Sequence, residues 1–259
     1  MKKIAVALFT MTLFLNSCKN ETKTDPIKVD KNTTSTTVST VEISPITHAT
    51  MVLNYGKETI YVDPTGGKEA FEGQKEPTIV LITDIHGDHL SFDTLKALDL
   101  KNALIVAPQA VVDKFPEDFK PNFNVITNGE TSVVNNTIIE AIPMYNLREE
   151  ALKFHSKGRG NGYVLTIGGQ RIYISGDTED IPEMRQLKNI DKAFVCMNLP
   201  YTMTVGSAVS AVLDFKPKQV FPYHYRGTDG LSDVAQFKTL VNAGNSKIEV
   251  VQLDWYQKK

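Results

Sequence analysis

The chain has only two cysteines, Cys18 and Cys196, in 259 residues. That excludes a small fold stapled by disulfides, and no zinc ribbon with paired thiolates can be assembled. Neither charge sign dominates. Lys and Arg total 28 against 30 Asp and Glu, a formal net charge of −2, so the basic face that nucleic acid requires is not expected. There is no helix–turn–helix, phosphate-cradling glycine loop or dinucleotide fingerprint. The apolar run from Ile4 to Leu15 falls short of the roughly 20 residues that span a bilayer. Histidine is scarce as well: His48, His86, His89, His155 and His224 are all there are. Scarcity makes their placement informative.

Two of the five fall in Thr83-Asp84-Ile85-His86-Gly87-Asp88-His89. The β-branched run Ile79 to Ile82 before it reads as a buried strand. Ser91 after it reads as the cap of a helix with apolar positions Leu95, Leu98 and Leu100. Asp84, His86, Asp88 and His89 place four potential ligands in one turn, where neighbouring side chains can splay towards two metals about 3.5–4 Å apart. Gly87 is expected to keep that turn clear of side-chain obstruction. By itself the turn fits a solvated polar loop equally well. Other ligand-type residues also stand at strand ends, however. His224 follows the run Gln219 to Tyr223, and Asp177 follows Arg171 to Gly176. His155 lies in a Gly- and Lys-rich loop before the strand Tyr163 to Ile167. Ligands at several strand ends are how an open sheet builds a site along one edge.

The order Asp63-Pro64, Asp84-x-His86-x-Asp88-His89, His155, Gly176-Asp177-Thr178 and His224 resembles the metallo-β-lactamase superfamily. The chain is most similar there to hydrolases grouped with ascorbate-6-phosphate lactonase and N-acyl phosphatidylethanolamine phospholipase D. His155 to Tyr163 and Asn198 to Thr204 share that resemblance, which runs from Val41 to the C-terminus. It implies an α+β fold, a four-layer αββα sandwich. It also implies a metal-dependent hydrolase with two divalent ions. One ion would take Asp84, His86 and His155, the other Asp88, His89 and His224, with Asp177 bridging. A hydroxide between the ions would attack a phosphodiester, lactone or amide, and Asp88 is the candidate to steer or accept a proton. Asp63 would hold a ligating imidazole from behind, although an Asp-Pro turn explains it as well. His48 is expected near the site without ligating. Zinc suits the histidine-rich set. Asp84 departs from the family, which has histidine at that place, and its oxygen raises the case for manganese or iron.

Tyr145, Asn146, Lys157, Arg159 and Tyr225 are candidates to bind substrate. The basic residues of the loop Pro143 to Gly160 suggest an anionic small molecule or lipid. A solvated loop balanced by Glu149 and Glu150 is the plain alternative. A different function class also stands: a metal- or partner-binding envelope lipoprotein with little turnover, kept open by Asp84. β-Lactam hydrolysis is a weaker third possibility. The sequence does not fix the oligomeric state.

In chain order, Met1-Lys2-Lys3, the apolar run and Leu15-Asn16-Ser17-Cys18 resemble a bacterial lipoprotein signal with a lipobox. Residues 1–17 are then a signal peptide, and 18–40, rich in Lys, Thr, Asp and Ser without aromatics, a flexible tether. Residues 41–259 form the hydrolase domain. Its place would be the bacterial envelope, anchored through lipid at Cys18 and facing the periplasm or the cell surface. Cys196, within an apolar strand pattern, reads as a core residue. Strands are expected at Val41–Ile46, Thr50–Asn54, Thr59–Val62, Ala103–Ala107, Asn124–Thr127, Ser132–Val134, Thr137–Ile142, Ala193–Met197 and Ile248–Leu253. Helices are expected at Pro108–Phe115, Pro182–Leu187, Val205–Phe215 and Ser232–Val241. The lipobox makes a direct prediction. Protein extracted from membranes should begin at Cys18 and carry acyl mass, and Cys18→Ala should leave the membrane fraction. An unmodified Cys18 removes the anchor.

Overall fold

A computed structural model describes residues 40–257. The expected signal peptide, Cys18 and all but the last residue of the tether lie outside the described residues. The first half runs β1 (Glu42–Thr47), β2 (Thr50–Tyr55), β3 (Glu58–Val62), β4 (Ile79–Leu81), α1 (Phe92–Ala97), β5 (Leu104–Ala107), α2 (Gln109–Val112) and β6 (Phe123–Val125). The second half starts with β7 (Thr131–Val134), β8 (Thr137–Met144), β9 (Gly160–Ile167), β10 (Gln170–Ile174), α3 (Pro182–Arg185), β11 (Lys192–Cys196) and α4 (Val205–Phe215). It continues with β12 (Gln219–Tyr223), β13 (Arg226–Gly227), β14 (Gly230–Leu231), α5 (Val234–Gly244) and β15 (Glu249–Val250).

Six strands form one sheet in the order β1-β2-β3-β4-β5-β6, and seven form the other in the order β15-β12-β11-β10-β9-β8-β7. Each sheet begins with antiparallel hairpins and ends in parallel strands. The turns explain the hairpins. Gly168 and Gly169 both take positive φ between β9 and β10, the geometry a two-residue connection needs. Asn135, also at positive φ, turns β7 into β8. Once pairing becomes parallel, carboxyl ends of successive strands line up on one edge. β3, β4, β10 and β12 lead there into Asp63, the Thr83–His89 turn, Asp177 and His224.

Alternation along the strands decides the layers. Met51, Leu53, Ile60, Val62, Ile79, Leu81 and Val106 join Ile139, Ala141, Tyr163 and Leu165 in one core between the sheets. Val52, Tyr61, Val80, Ile82 and Ile105, on the opposite face, meet Leu90, Leu95 and Val111 beside α1 and α2. Met184, Ala208, Val212, Phe215 and Phe237 of α3, α4 and α5 are buried with the second sheet. The order helix, sheet, sheet, helix is the expected αββα sandwich.

Three helices end earlier than the sequence implies, α3 stopping at Arg185 instead of Leu187. The Ser91 oxygen caps α1, accepting from the Thr94 N–H at 3.3 Å, but Leu98 is already extended. Leu98 and Leu100 are therefore in the turn beyond α1. α2 stops before Phe115, whose ring packs on Phe92, Phe119 and Phe123. Aromatic packing outweighs continuation of a short helix. Cys196 is fully buried and burial pushes its thiol up to about 11, which leaves a protonated core residue at neutral pH.

The metal-ligand turn leans on β9. Asn161 donates its N–H to the Thr83 carbonyl at 3.0 Å, and the Tyr163 hydroxyl donates to the Ile82 carbonyl at 2.8 Å. A Cβ on Gly160 would lie 2.2 Å from the Met144 methyl and 2.9 Å from the Thr83 carbonyl oxygen. Gly87 is different: a Cβ there meets nothing within 4 Å, and its φ is ordinary. The close approach that demands glycine is at Gly160, not Gly87 as the sequence suggests. Gly160→Ala should cost on the order of 1–3 kcal/mol, whereas Gly87→Ala should stay within about 0.5 kcal/mol. Urea denaturation of both variants checks this, and equal midpoints would refute the close-packing account.

Candidate metal centre

Four residues from three chain segments converge at the edge. His89 is fully buried, and its Nδ1 lies 2.7 Å from Asp63 Oδ2. Asp63 is held in turn by the Thr83 N–H at 2.7 Å and the Thr83 hydroxyl at 2.6 Å. With Nδ1–H committed to Asp63, the His89 lone pair is on Nε2. That atom is 3.1 Å from His224 Nε2 and 3.4 Å from Asp177 Oδ2. Asp177 Oδ1 is 3.1 Å from His224 Nε2, and Asp88 Oδ2 approaches the same nitrogen to 3.4 Å. Ligand atoms of Asp88, His89, Asp177 and His224 all lie within 4.8 Å of one another.

A second group, Asp84, His86 and His155, meets the same test. His86 Nδ1 is 2.6 Å from Asp84 Oδ2. His155 Nε2 is 3.2 Å from Asp177 Oδ2, so Asp177 touches both groups. The two groups and Asp177 are the division that the sequence suggests.

Several of these atoms are buried with no hydrogen-bond partner: both ring nitrogens of His155, His224 Nδ1 and Asp177 Oδ1. Each such atom costs about 1–3 kcal/mol. Cations at the cluster would take up His155 Nε2 and Asp177 Oδ1, the two of these atoms that face it, so the donor set fits divalent ions. The charges point the same way. Burial would raise the Asp177 carboxyl, but His224 and His89 hold it well below the usual range. Burial would lower His89, yet Asp177 and Asp63 push it well above an ordinary imidazole. Burial would also raise Asp88, and hydrogen bonds from His224 and His48 overcome it. The edge is a place where carboxylates call for positive charge.

His48 stands beside the site as expected. Its Nε2 is 3.3 Å from Asp88 Oδ2, its Nδ1 pairs with the Tyr256 hydroxyl at 2.8 Å, and its ring stacks near His224 at 3.9 Å. The proposed substrate groups are placed otherwise. Lys157 Nζ is 2.8 Å from Glu183 Oε1, and the Tyr145 hydroxyl donates to the other oxygen of Glu183 at 2.9 Å. Arg159 forks onto Asp84, Nε to Oδ1 at 3.1 Å and Nη2 to Oδ2 at 3.0 Å. Burial would raise the Asp84 carboxyl, but His86 and the charges of His89 and Arg159 keep it lowered. The Asn146 amide donates to the carbonyls of Ala151 and Tyr201, fastening two loops. Tyr225 packs on Tyr256. The loop, expected either to bind an anion or to be solvated and balanced by Glu149 and Glu150, is largely tied down by carboxylates from other elements, and Arg148 also reaches Glu150.

The cavity above the two groups has a volume of 320 Å³ and is lined by His86, Asp88, Phe154, His155, Asp177, Asn198 and Tyr201. None of Tyr145, Asn146, Lys157, Arg159 or Tyr225 lines it. Phe154, Asn198 and Tyr201 are the wall residues that sequence reasoning did not single out. Asn198 follows β11, and the strand-end rule that found Asp177 and His224 would have found it. A larger concavity of 420 Å³ beside Tyr61, Lys68 and Phe71 contains none of the clustered ligands.

Comparison with known proteins agrees with this geometry. Residues 42–224 match the β-lactamase superfamily domain. A UPF0173 metal-dependent hydrolase of Pyrococcus abyssi is 30% identical over 82% of this chain and 96% of its own. A crystal structure from Parabacteroides distasonis, described as a candidate metal-dependent hydrolase, is 38% identical, with a TM-score of 0.73 over 82% of this chain and 92% of that one. A metallo hydrolase of Ignicoccus hospitalis shares the fold at 19% identity, with a TM-score of 0.70 over 85% of this chain and 99% of that one. The chain thus belongs to the metallo-β-lactamase superfamily and, within it, to the UPF0173 metal-dependent hydrolases.

Proposed function

We propose that this chain hydrolyses a carbonyl compound, a lactone, ester or amide with an apolar substituent, by means of two divalent cations. Convergence of two ligand groups on Asp177, under a cavity walled by Phe154 and Tyr201, carries the reading. Asp88, His89, His224 and Asp177 would hold one ion, and His86, His155 and Asp177 the other, beside Asp84. Imidazole-rich donors suit zinc. Such ions supply Lewis acidity and an activated water near neutral pH. The chain's own residues do the rest. Asp63 fixes the His89 ring, and His48 holds the exposed carboxylate of Asp88 in place.

Asn198 accepts the Thr202 hydroxyl on its Oδ1. With Oδ1 committed, the amide NH₂ of this cavity-wall residue is the group left to donate to a substrate oxygen.

Substrate class follows from the mouth. Of the loop cations Arg148, Lys153, Lys157 and Arg159, three are paired, with Glu179, Glu183 and Asp84. Lys153 alone lacks a carboxylate partner among the described residues. Leu147 and Leu152 on the loop that carries Phe154, Leu199 beside Asn198, and Leu231 of β14 are exposed. Those loops are laced by Arg148 to the carbonyls of Pro200 and Thr202, and by the Thr228 N–H to the Leu199 carbonyl. Such a rim favours an uncharged, apolar group over the anionic substrate that the loop's composition suggests. A lipid tail is one such group, and an anchor at Cys18 would keep the domain beside its source in the envelope.

Two measurements test this. In a panel of γ-lactones and aryl esters, kcat/KM should rise on the order of fourfold for each added methylene, from about 0.8 kcal/mol per buried CH₂. Phe154→Ala and Tyr201→Ala should erase the gain for long chains and spare short ones. Faster cleavage of phosphodiesters, or no chain-length dependence, would overturn the substrate class. No turnover with metal bound would instead favour the binding-protein reading. Separately, Asp63→Ala should weaken zinc binding by about 10–100-fold while circular dichroism stays unchanged. Undiminished affinity would show that Asp63 does not position His89.

A further inference from the structure

A further cavity, of 450 Å³, is walled by β1, by residues 66–70, by Arg226 at the start of β13 and by residues 255–257. It shares no lining residue with the cavity over the ligand groups. Its size suits a small organic ligand. Pro45, Ile46 and Ala70 give it an apolar side. Arg226 gives it a cation, stacked over the Tyr256 ring at 4.1 Å. The Tyr256 hydroxyl, which burial keeps protonated, accepts the Arg226 backbone N–H at 3.0 Å and pairs with His48 Nδ1 at 2.8 Å. Stacking engages one face of the planar guanidinium and leaves its N–H edge for an anion.

Two groups in this wall lack partners. No carboxylate pairs with Arg226 among the described residues. Glu69 is the single acid in the wall, and it folds back: its Oε2 lies 2.8 Å from the place that a Cβ on Gly67 would take. Trp255 is fully buried with its ring against Tyr223 and Phe194, and its Nε1–H has no acceptor. A buried donor without a partner is costly to the fold.

We propose that this cavity binds a carboxylate with an apolar body, such as a medium-chain fatty acid. The fork of Arg226 takes the carboxylate, the apolar side takes the chain, and Trp255 Nε1–H is a further wall donor left open. One guanidinium beside one acid suits a monoanion better than a phosphate dianion. The site rests on its own residues and not on the metal reading.

Trp255 is the single tryptophan of the chain, so its emission reports on this wall. Octanoate is titrated into zinc-loaded protein while that emission is followed, and calorimetry of the same titration counts the ligand. A saturable shift with one octanoate per chain is expected. Octanamide should bind about tenfold or more weaker, and Arg226→Gln should weaken octanoate to a similar degree. Arg226 is exposed and keeps its backbone bond to Tyr256 in that variant, so the fold is not at issue. Glu69→Gln removes the nearby negative charge and should tighten octanoate about twofold or more. No octanoate binding in either measurement, equal affinity for octanamide, or inorganic phosphate bound as tightly as octanoate would each overturn the proposal. So would a response that persists in Arg226→Gln and disappears with EDTA, because the carboxylate would then sit on the metals.

Discussion

Asp177 is the constraint on which the site depends. It is one buried carboxylate facing three imidazoles. Oδ1 lies 3.1 Å from His224, and Oδ2 lies 3.2 Å from His155 and 3.4 Å from His89. Among the described residues no other carboxylate pairs with histidines of both ligand groups as Asp177 does. Its position is set by the backbone just before it. Gly176 has a φ of 60° and lies so close to Met144 and Thr83 that a Cβ would sit 2.5 Å from the Met144 sulfur. Gly176 thus packs against Met144 of β8 and Thr83 of the metal turn directly before the carboxylate.

Around that point the fold accepts local cost. Asp63, His224 and His48 are non-glycine residues with positive φ, at 43°, 46° and 53°. Such backbone is stored where surrounding structure over-determines it, commonly at functional sites. Here each strained residue ends or borders a strand and turns its side chain towards the cluster. Buried ring nitrogens and a carboxylate oxygen without partners add to the cost. A divalent ion answers the charge and the partners missing at His155 Nε2 and Asp177 Oδ1. Packing of the αββα layers supplies the rigidity that keeps the donors converged.

The scaffold was largely legible in the sequence because its signals are local. Glycine and asparagine turns located the hairpins, and apolar runs located the strands. α4 spans Val205–Phe215 as its apolar spacing implies. The ligand turn was legible for the same reason, since four donors lie in one segment. Partners distant along the chain were not legible. Arg159 reaches back 75 residues to Asp84, and Lys157 reaches forward 26 to Glu183. From composition alone these cations looked free to bind an anion. Gly160 and Gly87 exchange importance on the same ground: only packing between β9 and the turn shows which glycine is needed. Asn198 carries no charge or metal-type donor, so only the resemblance that covers Asn198 to Thr204 and the place of Asn198 after β11 marked it.

The central claim is that the two groups converging on Asp177 hold one divalent ion each. Anomalous diffraction at the zinc edge, from crystals grown with zinc, tests it most directly. The account predicts two strong peaks. One should lie among Asp88, His89, His224 and Asp177, and the other between His86, His155 and Asp177. A single peak, or zinc bound away from Asp177, would contradict it.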